Sequence, residues 1–308
     1  MKISIIISTY NGEKYIFEQL DSIYNQTRQP DEVIIYDDCS TDNTVKVIKK
    51  YICEKRLEKN WKITINTVNK GWRSNFMHMI WQATGDLIFT CDQDDIWRND
   101  KLAIMENIMK KNPNINLLAS NYIEFYDDGK EITGPYANDK IIKKIKLKEN
   151  FLKVPCPGCT YCIRKNLAMD SQQLWEEEFA HDDLFWRLGL FSDSLYIYTD
   201  SLIRWRKHRD SAYSLESIEL KSISEKINWL KMTKHFDVML IQYCYNKKID
   251  NRNLKLRTLK KNLHWLSLRE KFYITKNIYY GVKLLLYIRC YQRYRQYLGD
   301  WYLIYIKK

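Results

Sequence analysis

Three carboxylates stand within four residues at Asp92-Gln93-Asp94-Asp95. Held together they repel, so each makes the next harder to ionise. A divalent cation relieves that repulsion. Oxygen ligands of this kind suit Mg²⁺ or Mn²⁺, and a diphosphate would complete the shell. The plainer reading is a solvated acidic turn that caps the following helix. Two more polar clusters precede it, Thr9-Tyr10-Asn11-Gly12 and Asp37-Asp38, and His181-Asp182-Asp183 and Arg204-Trp-Arg-Lys-His208 follow. Cys156, Cys159 and Cys162 are spaced like metal ligands, but no fourth ligand stands at a matching spacing. If Gly158 to Ile163 is a strand, Cys159 and Cys162 point to opposite sides, so no metal cluster is expected there.

The elements around these clusters alternate. Lys2 to Ser8, Glu32 to Tyr36, Trp61 to Asn66 and Asp86 to Cys91 are apolar and rich in β-branched residues, as strands are. Helical patterns fill Glu13–Asn25, Thr44–Tyr51, Ser74–Ala83 and Lys101–Lys111. Ser40 to Asn43 and Asp100 are the expected caps. The order β-α-β-α-β-α-β-α predicts an α/β fold with an open, largely parallel sheet. Ligands bind such sheets beyond the carboxyl ends of the strands, and three of the polar clusters fall there. Leu117 to Phe125 and Leu195 to Tyr198 read as further strands, and Glu176 to Leu190 holds a helical stretch. From about residue 216 the pattern turns helical.

The chain has 308 residues, and 45% of them are hydrophobic, which is the composition of a globular protein. Its net charge of +12 is unevenly placed. Residues 216–308 hold 20 Lys and Arg against 7 Asp and Glu, leaving 30 against 31 for residues 1–215. Two parts with different jobs are expected, 1–215 and 216–308. The second is basic and aromatic, which suits an anionic lipid interface, an acceptor or a dimer contact. No apolar run is long enough to cross a membrane, and the N-terminal run is too short for a signal peptide. The eight cysteines are therefore expected as free thiols in a reducing cytoplasm.

Read in order, the motifs resemble family 2 glycosyltransferases with a GT-A fold. The matching residues are Ile6 to Gly12, Gln19 to Ile23 with Gln26, Ile34 to Asp42, Asn69, Gly71, Arg73, Asn75, Ala83 to Asp86, and Asp92 to Trp97. Within that family they are similar to the bacterial branch that contains rhamnosyltransferases of surface-polysaccharide assembly. The resemblance covers about residues 1–215, not the tail. It implies inverting transfer of a sugar from a UDP- or dTDP-linked donor, with Mn²⁺ or Mg²⁺, onto a glycan or lipid-linked acceptor at the cytoplasmic face of the membrane. Ser8, Thr9, Tyr10, Asp38, Gly71, Arg73, Asp92 and Gln93 would then bind the nucleotide, with Asp38 on the base. Asp94 would be the direct metal ligand, with Asp95 the next candidate; Asp92 would meet the ribose or a metal-bound water, His208 would reach the metal or the diphosphate, and Arg206 would neutralise the leaving diphosphate. Asp182 or Asp183 would be the catalytic base, and Trp97, Gly158 and Cys159 would lie on the acceptor side.

Other classes fit less well. A sugar nucleotidyltransferase needs a Gly-rich basic loop after its first strand, where this chain has Thr-Tyr-Asn-Gly-Glu-Lys. A nucleic-acid-binding protein would carry its basic face on the part with the motifs, and that part is slightly acidic. No nucleic-acid partner is expected. A decayed, non-catalytic scaffold would not keep Asp38, Asp92, Asp94, Asp182 and His208 together.

Overall fold

The computed structural model describes residues 1–208 and 222–307. The four predicted strands are β1 (Ile3–Thr9), β2 (Glu32–Asp37), β3 (Trp61–Ile65) and β4 (Leu87–Cys91). They pair in parallel in the order β3-β2-β1-β4. The connecting helices are α1 (Ile16–Tyr24), α2 (Thr44–Glu54) and α3 (Trp72–Gln82). β1 is buried along almost its whole length because helices cover both its faces, hence its unbroken Ile run.

Beyond β4 the sheet is mixed. The short β5 (Ile96–Trp97) is followed by α4 (Lys101–Lys111) and β6 (Leu117–Tyr126). β7 (Glu131–Thr133) pairs with β6, and β8 (Ile142–Lys144) pairs with β10 (Leu195–Lys207). β9 (Tyr161–Arg164) inserts antiparallel between β4 and β6, and β10 runs parallel to β6. α5 (Lys165–Asp170) and α6 (His181–Phe191) lie between β9 and β10. This is the expected α/β GT-A architecture, its sheet mixed and mostly parallel.

Three local expectations need correction. The strand expected at Leu195–Tyr198 continues to Lys207, its register shifted between Tyr198 and Ser201 and again between Ser201 and Arg204. Asp100 stands at the start of α4 without capping it. Its carboxylate pairs with Arg98 at 2.5 Å, and Gln26 Oε1 accepts the Leu102 N–H instead. Gly158–Thr160 is a 3₁₀ turn, so the strand that would separate Cys159 from Cys162 begins only at Tyr161.

The chain divides into two compact units. The first is Met1–Ile145, Pro155–Gly189 and Ser194–Lys207. The second takes Lys146–Val154, Leu190–Asp193 and the chain from His208 onward. The expected boundary at 215/216 lies outside the described residues. In the second unit, α7 (Ile223–Asn246) and α8 (Arg252–Thr275) are followed by α9 (Ile278–Lys283), a 3₁₀ segment (Leu284–Cys290) and α10 (Arg295–Tyr305). Ser222 and Glu225 form a capping box at the start of α7. The buried Arg269 guanidinium forks onto Asp300 at 2.6 and 2.7 Å, and Tyr273 and Tyr291 donate to the same carboxylate. Lys261 pairs with Glu149 at 2.7 Å and Lys255 with Asp193, which ties the two short segments to the helices.

Candidate active site

Thr9, Asp37 and Cys91 end adjacent parallel strands, so the loops that follow gather at one edge of the sheet. Asp37 is fully buried and ties that edge together, accepting from Thr9 Oγ1 at 2.9 Å and Ser40 Oγ at 2.6 Å. Thr9, expected to line the nucleotide, is buried with its hydroxyl committed to Asp37. Ser8 is half-buried, and the Tyr10 ring is exposed. Asn11 sits at φ 47°, in the left-handed region, and its Oδ1 accepts from Thr41 N at 2.9 Å.

Asp38 is buried and holds the loop after β3. Its Oδ1 accepts from Asn66 Nδ2 at 2.9 Å and Lys70 N at 2.8 Å, and its Oδ2 from Gly71 N at 2.8 Å. A carboxylate offers about four acceptor positions, which leaves one on Oδ2 for a ligand donor. Gly71 has φ 81°, a conformation that favours glycine. Arg73 stacks on Trp72 at 4.5 Å. Gly71 and Arg73 line a cleft of ≈ 520 Å³ with Lys70, Ser74, His78 and Glu177. The acidic turn does not line this cleft.

The acidic turn follows β4. Gln93, expected on the nucleotide, uses its amide on the protein: Oε1 accepts from Tyr10 N at 2.9 Å and Nε2 donates to Tyr10 O at 3.0 Å. Carboxylate oxygens of Asp92 and Asp95 and the Cys159 sulfur lie within 4.8 Å of one another. Burial, then the neighbouring Asp94 carboxylate, pushes Asp92 up to about 7. Burial and the same neighbours raise Asp95 as well. Asp95 Oδ1 accepts from Arg206 N at 3.0 Å, and its buried Oδ2 has no hydrogen-bond partner. Crowded carboxylates with an orphaned oxygen are what a divalent cation would satisfy, so the residues fit one. Asp94 and His208, the other expected ligands, are not in this group. His208 is the first residue after β10 and belongs to the second unit.

Cys159, expected on the acceptor side, lies under this turn and is 1% exposed. Beside it is a residue the sequence reading missed. Lys101 is fully buried, donates to Cys159 O at 2.9 Å and sits 3.5 Å from the centroid of the Trp97 ring. Burial lowers its ammonium to about 8. Trp97 is a correction too. It is 3% exposed and part of the hydrophobic core, so it does not face an acceptor.

Arg206, expected on the diphosphate, braces the turn from behind. Its Nε donates to Asp94 O at 2.8 Å, its Nη2 pairs with Glu18 at 2.5 Å, and it stacks on Tyr15 and Phe125 at 4.4 Å each. Side chains alternate along a strand, so the next residue points the other way. Lys207 lies over Trp205 at 3.2 Å. Burial pulls its ammonium below the usual lysine range, against the pull of Glu124, Cys159, Asp95 and Asp92. Lys207 is therefore also in electrostatic reach of the acidic turn. The alternation was readable from sequence, but which face met the acids was not.

The second acidic group opens α6. The buried His181 stacks on Phe76 at 4.1 Å, and a side chain at Gly158 would collide with it. Neither ring nitrogen has a hydrogen-bond partner, and burial, then Arg73, holds the imidazole down at about 3. Asp183 pairs with Arg187 at 3.1 Å. Asp182 Oδ1 accepts from Asp183 N at 2.8 Å, and burial raises its carboxyl. The Asp182 charge also raises Asp92, so the two acidic groups sense each other. The Gly158–Cys159 turn lies between them, with Cys159 on Asp92 and Gly158 against His181 and Asp182.

The fold and sequence have known counterparts. Residues 4–170 match Glycosyl transferase family 2. An uncharacterized glycosyltransferase of Haemophilus influenzae is 26% identical over 249 residues, 76% of this chain and 74% of that one. The dTDP-rhamnosyl transferase RfbG of Shigella flexneri is 35% identical over 172 residues, 53% of this chain and 55% of its own. The solved Staphylococcus aureus TarS 1–349 in complex with UDP-GlcNAc superposes with a TM-score of 0.64 at 21% identity, covering 99% of this chain and 82% of that one. A mannosyltransferase of Pyrobaculum calidifontis in complex with GDP-Man and Mn²⁺ superposes at 0.52 and 16% identity, over 100% and 88% of the two chains. With a GT-A sheet, an acidic turn at the end of its fourth strand and this match over more than half its length, the chain belongs to glycosyl transferase family 2 and is a glycosyltransferase.

Proposed function

We propose that the enzyme is an inverting transferase that moves a sugar from a UDP- or dTDP-linked donor to a hydroxyl of a glycan or lipid-linked acceptor in bacterial surface-polysaccharide synthesis. The observation that carries this reading is the Gly158–Cys159 turn between the two acidic groups, where a side chain at Gly158 would meet His181 and Asp182 and the Cys159 sulfur lies within 4.8 Å of Asp92 and Asp95 carboxylate oxygens. It pairs a carboxylate able to take a proton with an acidic turn able to hold a cation.

Asp38 and the exposed Tyr10 ring bind the nucleoside, with Gly71 and Arg73 beside them. Asp92 and Asp95, with Asp94 adjacent, would hold Mn²⁺ or Mg²⁺, which would neutralise charge on the leaving diphosphate. Lys207 adds a second positive charge there. Asp182 takes the acceptor hydroxyl's proton as that oxygen bonds to the anomeric carbon and the bond from that carbon to the diphosphate oxygen breaks. A raised carboxyl is the stronger base for this step. Asp183 is the lesser candidate because Arg187 already holds it.

The test is donor turnover with a panel of saccharide acceptors. Asp182→Asn should cut kcat by about 10³-fold, as loss of a general base does, and Asp183→Asn by far less. Equal losses would remove Asp182 from the base position.

A further inference from the structure

We propose that α9, the 3₁₀ segment after it and α10 form a docking surface for an anionic lipid bilayer, on which the enzyme lies without crossing it. The two helices pack antiparallel. Tyr297 Oη donates to Gly281 O at 3.1 Å, and Tyr305 Oη donates to Lys276 O. Gly281 makes this approach possible, because a side chain there would strike Trp301 and Phe272. The inner side buries Leu284, Cys290, Tyr291 and Ile304.

The outer side is apolar in register. Ile278 and Val282 recur at i and i+4 on α9, as do Leu298 and Tyr302 on α10; Leu286 follows in the 3₁₀ segment and Ile306 just past the end of α10. Each is between 53% and 76% exposed. On a helix that spacing marks one face. Two such faces side by side are more apolar surface than scattered exposed residues account for.

Charge selects the partner. Residues 276–307 carry Lys276, Lys283, Arg289, Arg293, Arg295 and Lys307 and a single acid, Asp300. That acid is buried under the Arg269 guanidinium. The segment therefore presents cations and no exposed carboxylate. A second copy docking this face to itself would set those cations against one another. An anionic bilayer instead takes apolar side chains at headgroup depth and answers the cations. Among the described residues no helix is long and apolar enough to span a membrane, which leaves binding in the interface.

This deepens the proposed function, whose acceptors include lipid-linked ones, and it can be tested apart from it. The full chain, without donor or acceptor, is sedimented with vesicles of phosphatidylcholine alone or mixed with phosphatidylglycerol. Binding to the mixed vesicles should be at least about tenfold stronger and should weaken with salt. The double variant Leu286→Glu/Leu298→Glu, with an unchanged melting temperature, should lose it, and Arg289→Glu/Arg293→Glu should lose the lipid preference. Equal binding to both vesicles, or vesicle binding unaffected by either pair, would overturn the proposal. So would a dimer in sedimentation equilibrium that the Leu pair dissociates while vesicles bind nothing. Any of these leaves the transferase reading standing, because no transfer is measured.

Discussion

Gln93 and Tyr10 are joined through both ends of the Gln93 amide, at 2.9 and 3.0 Å, across the carboxyl ends of β4 and β1. The acidic turn thereby sets the backbone that presents the exposed Tyr10 ring. Gly12 is part of the same arrangement, since any side chain there would displace the Gln93 amide. Gln93→Ala is expected to weaken nucleoside-diphosphate binding about tenfold, the worth of one to two net hydrogen bonds. Titration calorimetry with UDP or dTDP reads this directly. An unchanged affinity would reduce the pairing to a local tether.

Arg206 and Lys207 are adjacent and should fail in opposite ways. Arg206→Met removes the side-chain brace on Asp94 O and leaves Glu18 without its ion pair, while the backbone N–H still donates to Asp95. It should cost about 2 kcal/mol of stability, in the range for losing the hydrogen bond of a charged group, since Glu18 itself is exposed. Lys207→Met should leave the melting temperature nearly unchanged and lower kcat about 100-fold, as loss of one charge-stabilising group does. The reverse pattern would return Arg206 to the diphosphate.

His181 gives the fold a pH dependence with a definite sign. An unfolded histidine titrates near 6.5, and this one is held at about 3. Between those values the unfolded chain binds the extra proton, so the contribution is complete above about 6.5 and is lost as pH falls. The slope approaches about 1.4 kcal/mol per pH unit within that window. His181→Gln removes the titration. Its melting temperature should fall less steeply between neutral and mildly acid pH, whatever its starting value. Parallel curves for the two proteins would mean that the imidazole is reached by water.

Much of this molecule was legible in the sequence. The alternation through Lys111 placed β1 to β4 and α1 to α4 within a few residues, because helix and strand periods are local. The polar clusters at the strand ends gather at one edge of the sheet for the same reason. Pairings between distant segments were not legible. Nothing local to Tyr161–Arg164 says that it inserts between β4 and β6. The far half of β10 was hidden by its register shifts and by the polar Thr199 and Asp200, buried where Asp200 meets Arg98 at 2.9 Å. Lys101 opens α4 and is fully buried beneath the acidic turn, a placement that no local pattern announces. Trp97 matched a motif and belongs to the core.

The central claim is that the acidic turn binds a nucleotide diphosphate through a divalent cation. It is tested by melting the purified protein with UDP, dTDP or GDP, each with Mn²⁺ and with chelator. A ligand bound at a hundred times its Kd should add about 2.7 kcal/mol of stability. The expected result is a shift with UDP or dTDP that requires the metal and disappears in a folded Asp92→Asn variant. No shift with any of the three, or one that survives both chelation and Asp92→Asn, would contradict the claim.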